Sequence, residues 1–132
     1  MAKKRIFISF DYDKDKHYKN LLTAWDKNDL FDFKFYDGSV TVPVNSNDAG
    51  PIRRVISQRI DDCTRLLCIV GEETHKSGWV DWEINKAKEK NKKLIAVKTA
   101  KSNTTPAALY NAGATWALSF TFESIKKAIE ES

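Results

Sequence analysis

Trp79 and Glu83 stand four residues apart in the run Ser77-Gly78-Trp79-Val80-Asp81-Trp82-Glu83-Ile84. At helical spacing, positions i and i+4 share a face, so the carboxylate would neighbour an indole. A carboxylate against an aromatic wall can stabilise an oxocarbenium-like sugar cation. It can also take a proton from a ribose hydroxyl, the work that acids do in glycosidic cleavage. Glu83 precedes Ile84 by one position, which places it at the rim of the buried stripe of its helix. The same residue could instead be an ordinary first-turn acid complementing the helix dipole, and the spacing leaves both roles open. Trp82 fits a ligand wall or an exposed packing residue.

The other chemistry-bearing residues offer less. His17 lies among Lys14, Lys16 and Lys19 and reads as solvated, while His75 falls just before the Trp79 helix; neither has a triad partner at useful spacing. Cys63 and Cys68 form no CxxC pair and no Cys/His cluster, so no metal site is expected. Cys68 sits inside an apolar run and reads as a buried free thiol. Lys86, Lys88, Lys90, Lys92 and Lys93 read as a solvated helix face.

The elements that must position these groups alternate along the chain. Arg5–Phe10 is a short apolar run that reads as a strand. Tyr18, Leu21, Leu22 and Trp25 follow at helical spacing, with Asp13 or Asp15 as the expected N-cap. Phe31, Phe33 and Phe35 alternate with polar neighbours, the pattern of a half-exposed edge strand. Residues 38–50 read as a long loop, and Asp37-Gly38 before it as a turn pair or a ribose contact. Pro51 suits a first helical turn, followed by the stripe Ile52, Val55, Ile56 and Ile60. Leu66–Val70 and Leu94–Val97 are apolar on both faces, as central strands of a covered sheet are. Val80, Ile84 and Ala87 form the inward row of the helix between them. Thr104–Tyr110 reads as a short helical turn, Trp116–Phe120 as a last strand, and Phe122, Ile125, Ala128 and Ile129 as a closing helix.

This βα alternation predicts an α/β fold of three layers, flavodoxin-like, with a five-stranded parallel sheet in the order 2-1-3-4-5. Ligand sites in such sheets lie at the C-terminal strand ends. Here those ends are Ser9–Asp13, which holds Phe10 and Asp11, then Tyr36–Ser39, Val70–Ser77 and Lys98–Ser102.

A chain of 132 residues predicts a single domain, and 42% hydrophobic with 30% charged residues is ordinary for a soluble globular protein. The longest apolar run, Leu66–Val70, is far too short to span a membrane. Lys3-Lys4-Arg5 mimics the charged start of a signal peptide, but acids follow within a few residues, so the expected location is cytoplasmic. A net charge of +4 does not imply nucleic-acid binding.

Several doubly wound families fail on residues. Asp11-Tyr12-Asp13-Lys14-Asp15 after the first strand would repel the phosphate of a flavin nucleotide. The third strand ends Ile69-Val70-Gly71, without the acceptor aspartate of a response-regulator receiver, and the last strand carries no lysine. No GxGxxG or GxxxxGK[ST] stretch occurs.

What remains is Ile6-Phe7-Ile8-Ser9-Phe10 with an acidic turn behind it, then Leu67-Cys68-Ile69-Val70-Gly71, then Trp79-x-x-x-Glu83 in Ser77–Glu83, and Lys93–Val97. This combination resembles the TIR-like family that includes the TIR protein of the Thoeris antiphage defence system, over about Ile6–Val97. The resemblance implies that Glu83 cleaves the nicotinamide–ribose bond of NAD, with NAD as substrate and no cofactor. It implies an ADP-ribose-derived nucleotide signal, such as a cyclic isomer, reaching a partner effector protein. A homo-oligomer and a phage-derived trigger belong to the same expectation. Phe10 would stack on a nicotinamide or adenine ring, or pack in the core. Asp11 would hold a ribose hydroxyl, or serve as a helix N-terminal acid. Many animal and plant TIR enzymes carry a basic residue near Asp11, so phosphate contacts are not assigned. Two other readings stay open: a non-catalytic TIR-type interaction module, and a nucleoside deoxyribosyltransferase-like enzyme.

Overall fold

The sheet strands carry apolar side chains on both faces, and helices cover both. The computed structural model describes residues 4–26, 30–36 and 42–132; Asp37 and the first part of the 38–50 loop lie outside them. Strands β1 (Lys4–Ser9), β2 (Phe31–Lys34), β3 (Arg65–Val70), β4 (Lys93–Lys98) and β5 (Thr115–Trp116) form one sheet. All pairings are parallel, in the order β2-β1-β3-β4-β5. The helices are α1 (Tyr12–Trp25), α2 (Gly50–Asp61), α3 (Gly78–Glu89) and α4 (Phe122–Glu131). No helix among the described residues is long and apolar enough to cross a membrane.

Side-chain alternation sorts the two layers. Phe7, Leu66, Cys68 and Val70 face α2 and α3, packing with Ile56, Ile60, Val80, Ile84 and Ala87. Ile6, Ile8, Leu67 and Ile69 face the other way, onto Leu22 of α1 and Ile125 and Ile129 of α4. The strand order reverses direction between β1 and β3, so the chain leaves their C-terminal ends toward opposite faces and opens a crevice there.

Four local expectations are corrected. Asp11, not Asp13 or Asp15, caps α1, its Oδ1 accepting the Asp13 N–H at 3.2 Å. Asp15 instead points inward with Lys19 and Leu22, at i, i+4 and i+7, and this rotation leaves Leu21 exposed. On α2 the inward row runs every fourth residue through half-buried Ile52 and buried Ile56 and Ile60, which turns Val55 to solvent. The last strand does not reach Phe120. After Thr115–Trp116 one further ladder bond forms, Ala117 N–H to Ala96 carbonyl at 2.9 Å. Thr121 then accepts the Ser124 N–H to start α4, and Leu118 is left 89% exposed.

Candidate active site

Ser77 starts α3 by accepting the Val80 N–H at 3.1 Å. Counting from there, Glu83 lies in the second turn, and Asp81 is the acid of the first. Val80, Glu83, Ile84 and Ala87 are the four buried residues of the helix, at i, i+3, i+4 and i+7. Glu83 is therefore inside the stripe rather than at its rim, with 7% of its surface exposed. Both expectations, rim position and first-turn dipole partner, are corrected by this placement.

What receives the carboxyl is Ser9, the last residue of β1. It shares the strand face of Phe7, opposite α3, and is fully buried. Its hydroxyl donates to Glu83 Oε1 at 2.7 Å. Burial disfavours the carboxylate and pushes Glu83 up to about 8, while the Ser9 hydrogen bond pulls the other way.

Above Glu83 lies a cleft of about 320 Å³ at the C-terminal ends of β1 and β3. Phe10, Tyr12, Tyr36 and Trp79 supply aromatic walls, with Ile8 and Ile56 beneath. Asp11, Asp13 and Glu73 place carboxylates around it, and Lys14 and Lys76 place ammonium groups. Lys76 also pairs with Glu73 at 3.2 Å. The structure thus brings Phe10, Asp11, Trp79 and Glu83 together. Trp82 is not among the lining residues; it lies about 100° around the helix from Glu83 and packs edge-on against Trp79, ring centroids 5.9 Å apart. The Lys86 ammonium lies over its ring, 5.3 Å from the centroid. Asp11 is engaged as the cap of α1, and Asp37 lies outside the described residues.

Two sets of contacts brace the cleft. On one side the Thr74 hydroxyl accepts the Gly71 N–H at 2.8 Å and donates to Asp15 Oδ2 at 3.1 Å. Asp15 is raised, chiefly by burial, with the Thr74 bond opposing. A side chain at Gly71 would put Cβ 2.1 Å from Asp15 Oδ2, so this site needs glycine for space. On the other side the Trp79 indole N–H donates to the Val42 carbonyl at 3.0 Å. Arg53 of α2 donates to the Val44 and Ser46 carbonyls at 2.5 and 3.1 Å, so residues 42–46 are tied to both helices that flank the cleft.

The remaining candidates stand apart from this chemistry. Burial pushes the Cys63 thiol up to about 11 and the fully buried Cys68 thiol higher still. His17 packs its ring 3.9 Å from that of Tyr18 and is exposed, as is His75. Among the described residues no group of three or more His, Cys, Asp or Glu is placed to hold a metal ion.

With this geometry in hand, the comparisons are specific. The family model described as Thoeris protein ThsB, TIR-like domain, matches residues 7–104. The chain belongs to that family. No curated protein matches. Among solved structures, a conserved protein from Enterococcus faecalis V583 superposes with a TM-score of 0.55 at 15% identity, covering 83% of this chain and 71% of its own. A 3-dehydroquinate dehydratase-like protein from Bifidobacterium longum superposes with a TM-score of 0.51 at 15% identity, covering 99% of each chain. At that identity these two show the shared α/β fold alone. The ThsB family match covers the end of β1, with Ser9, and all of α3, with Glu83, so both halves of the buried pair fall within it.

Sequence reasoning placed Ser9, Tyr12, Tyr36, Glu73, Lys76 and Ser77 in the segments at the strand ends but gave them no role, and it did not single out Lys14. For Ser9 a signal existed: it is the polar residue at the end of an apolar alternation, on the Phe7 face that α3 must cover.

Proposed function

We propose that this ThsB-like TIR domain cleaves the nicotinamide–ribose bond of NAD. The observation that carries the reading is Glu83, a buried carboxyl held by Ser9 at the base of an aromatic cleft. The walls of Phe10 and Trp79 suit a flat heterocycle. Asp11 and Asp13 suit ribose hydroxyls, and Lys76, outside that acidic turn, suits the pyrophosphate.

In this reaction the bond between the ribose C1′ and the nicotinamide nitrogen breaks. Its electron pair leaves with nicotinamide, which departs neutral, and the ribosyl group becomes an oxocarbenium-like cation. Ionised Glu83 stabilises that cation at short range and in low dielectric, where a fixed charge acts most strongly. An acceptor, either water or a nucleophilic atom of the ADP-ribose itself, then bonds to C1′ and loses its proton. The product is an ADP-ribose-derived nucleotide, free to diffuse to a partner effector in antiphage defence. Self-association and a phage-derived trigger are part of the same proposal, as regulators of when the cleft turns over.

Incubation of the purified protein with NAD, followed by chromatography, tests it. Release of nicotinamide that disappears in Glu83→Gln is the expected result. Absence of release from a folded wild-type protein, with and without infected-cell extract, would leave the interaction-module reading in its place.

A further inference from the structure

We propose that Ser9 is a positioning residue for this site: its hydroxyl holds Glu83 by Oε1 and leaves Oε2 turned to the cleft. The inference rests on the reading of Glu83 as the reacting carboxylate and assigns the group that aims it.

Three observations carry it. First, Ser9 is a hydroxyl in an otherwise apolar stretch of β1, at 0% exposure, and such a group is tolerated where it is hydrogen-bonded. Among the described residues its side-chain partner is Glu83, 74 positions away in sequence. Second, Ser9 is not one of the residues lining the cleft, whereas Glu83 is. The hydroxyl therefore acts on a ligand through Glu83. Third, no buried side-chain oxygen or nitrogen among the described residues lacks a hydrogen-bond partner, and Oε1 is the oxygen that Ser9 engages. Glu83 lines the cleft, so Oε2 is the oxygen left for a ligand there.

The other charged groups around Glu83 act at longer range. The start of α1 presents Asp11, Asp13 and Lys14, and the segment after β3 presents Glu73 and Lys76. Tyr36 follows β2, and the Cys68 thiol lies on β3 beside Ser9 in register. Ile56 of α2 contributes an apolar surface. The three carboxylates disfavour a further negative charge and the two lysines favour it. Ser9 is the neighbour in hydrogen-bond contact, and a hydroxyl donor at 2.7 Å favours the ionised form.

The test reads Glu83 itself. The full-length chain is labelled with carbon-13 at the glutamate carboxyls, and the Glu83 signal is assigned by its loss in Glu83→Gln. The wild-type signal should titrate near pH 8. In Ser9→Ala the midpoint should rise by about one to two pH units, the scale of a hydrogen bond to a charged group. The acid limb of kcat/KM for NAD should move with it, so that turnover lost at pH 7, about 10- to 100-fold, returns as the pH is raised. Ser9→Cys, similar in shape and a far weaker donor, should shift both in the same direction by less; it also serves if Ser9→Ala does not fold. A midpoint that stays in place in a folded Ser9 variant overturns the proposal. So does a turnover loss that is equal at every pH. If wild type shows no NAD cleavage, the proposed reaction fails, while the carboxyl titration still decides whether Ser9 governs Glu83.

Discussion

Glu83→Gln should make the protein more stable and less active at once. A carboxyl raised in the folded state keeps its proton to higher pH there than in the unfolded chain. The stability it permits is complete below about pH 4.5 and is lost as the pH rises toward 8. The interval from an ordinary 4.5 to about 8 corresponds, at about 1.4 kcal/mol per pH unit, to about 5 kcal/mol once both states have ionised. At pH 7 the folded state still holds most of its proton while the unfolded chain does not, and the difference is about 3 kcal/mol. Glutamine keeps the volume, lets its side-chain carbonyl accept from Ser9, and never ionises. Its gain over wild type should be near zero at pH 4, about 3 kcal/mol at pH 7 and about 5 kcal/mol at pH 9. For a chain of this length 3 kcal/mol is about 10 °C in melting temperature.

The assay is a thermal melt of both proteins across pH 4 to 9, with nicotinamide release measured on the same samples. Asp15, also raised by burial, adds a slope of the same sign to both curves, so it cancels in the difference. Turnover should fall by at least about a hundredfold, the scale of losing one acid–base or electrostatic group. A stability difference that does not grow with pH would refute the buried, protonated carboxyl. Glu83→Gln turning over NAD at the wild-type rate would refute the catalytic role.

Two further substitutions test the braces of the cleft. Gly71→Ala drives a methyl into the Asp15 carboxylate and should cost about 3 kcal/mol or more; chemical denaturation measures this, and adding Asp15→Ala should recover part of it. Trp79→Phe keeps an aromatic wall but removes the N–H that holds Val42, so it should cost about 1 kcal/mol. Limited proteolysis should then cut within residues 42–46 sooner than in wild type, and an unchanged cleavage rate would show that the bond does not restrain this segment.

The sheet was legible because its strands state their environment directly. Leu66–Val70 and Leu94–Val97 are apolar at every position, which in a chain of this alternation leaves them no place but the middle of a covered sheet. Phe31–Phe35 carries polar residues between aromatics and lies at the edge. The two errors at the site fall where one residue answers to two demands. Asp15 reads as a helix-capping acid in the sequence, yet its carboxylate is buried because Thr74, 59 positions on, offers a hydroxyl to it. Glu83 reads as a rim residue when counted one position before Ile84, although its three-residue spacing from Val80 already placed it in the stripe. The override comes from Ser9, and no local pattern reports a partner 74 positions away. Both misreadings concern carboxyls that burial shifts toward the protonated form, and both line or brace the same crevice.

A carboxyl that is neutral in the free protein also determines which ligand gains most from it. Oxidised NAD carries a positive charge on its nicotinamide ring, and the reduced form does not. In the proposed reaction that ring would lie in the cleft that Phe10, Trp79 and Glu83 line, and a cation there favours ionisation and lowers the carboxyl from about 8. Binding of the oxidised form at pH 7 should therefore release up to about one proton to solvent, while the reduced form should release none. Calorimetry with a carbocyclic analogue of oxidised NAD, in which the nicotinamide bond does not cleave, measures this in two buffers of different ionisation enthalpy. Proton release seen with wild type and abolished in Glu83→Gln is the expected pair of results. The effect should fade above pH 9, where Glu83 has already ionised. Equal proton release for the oxidised and reduced forms, or release that persists in Glu83→Gln, would show that the charge of the ring is read by some group other than Glu83.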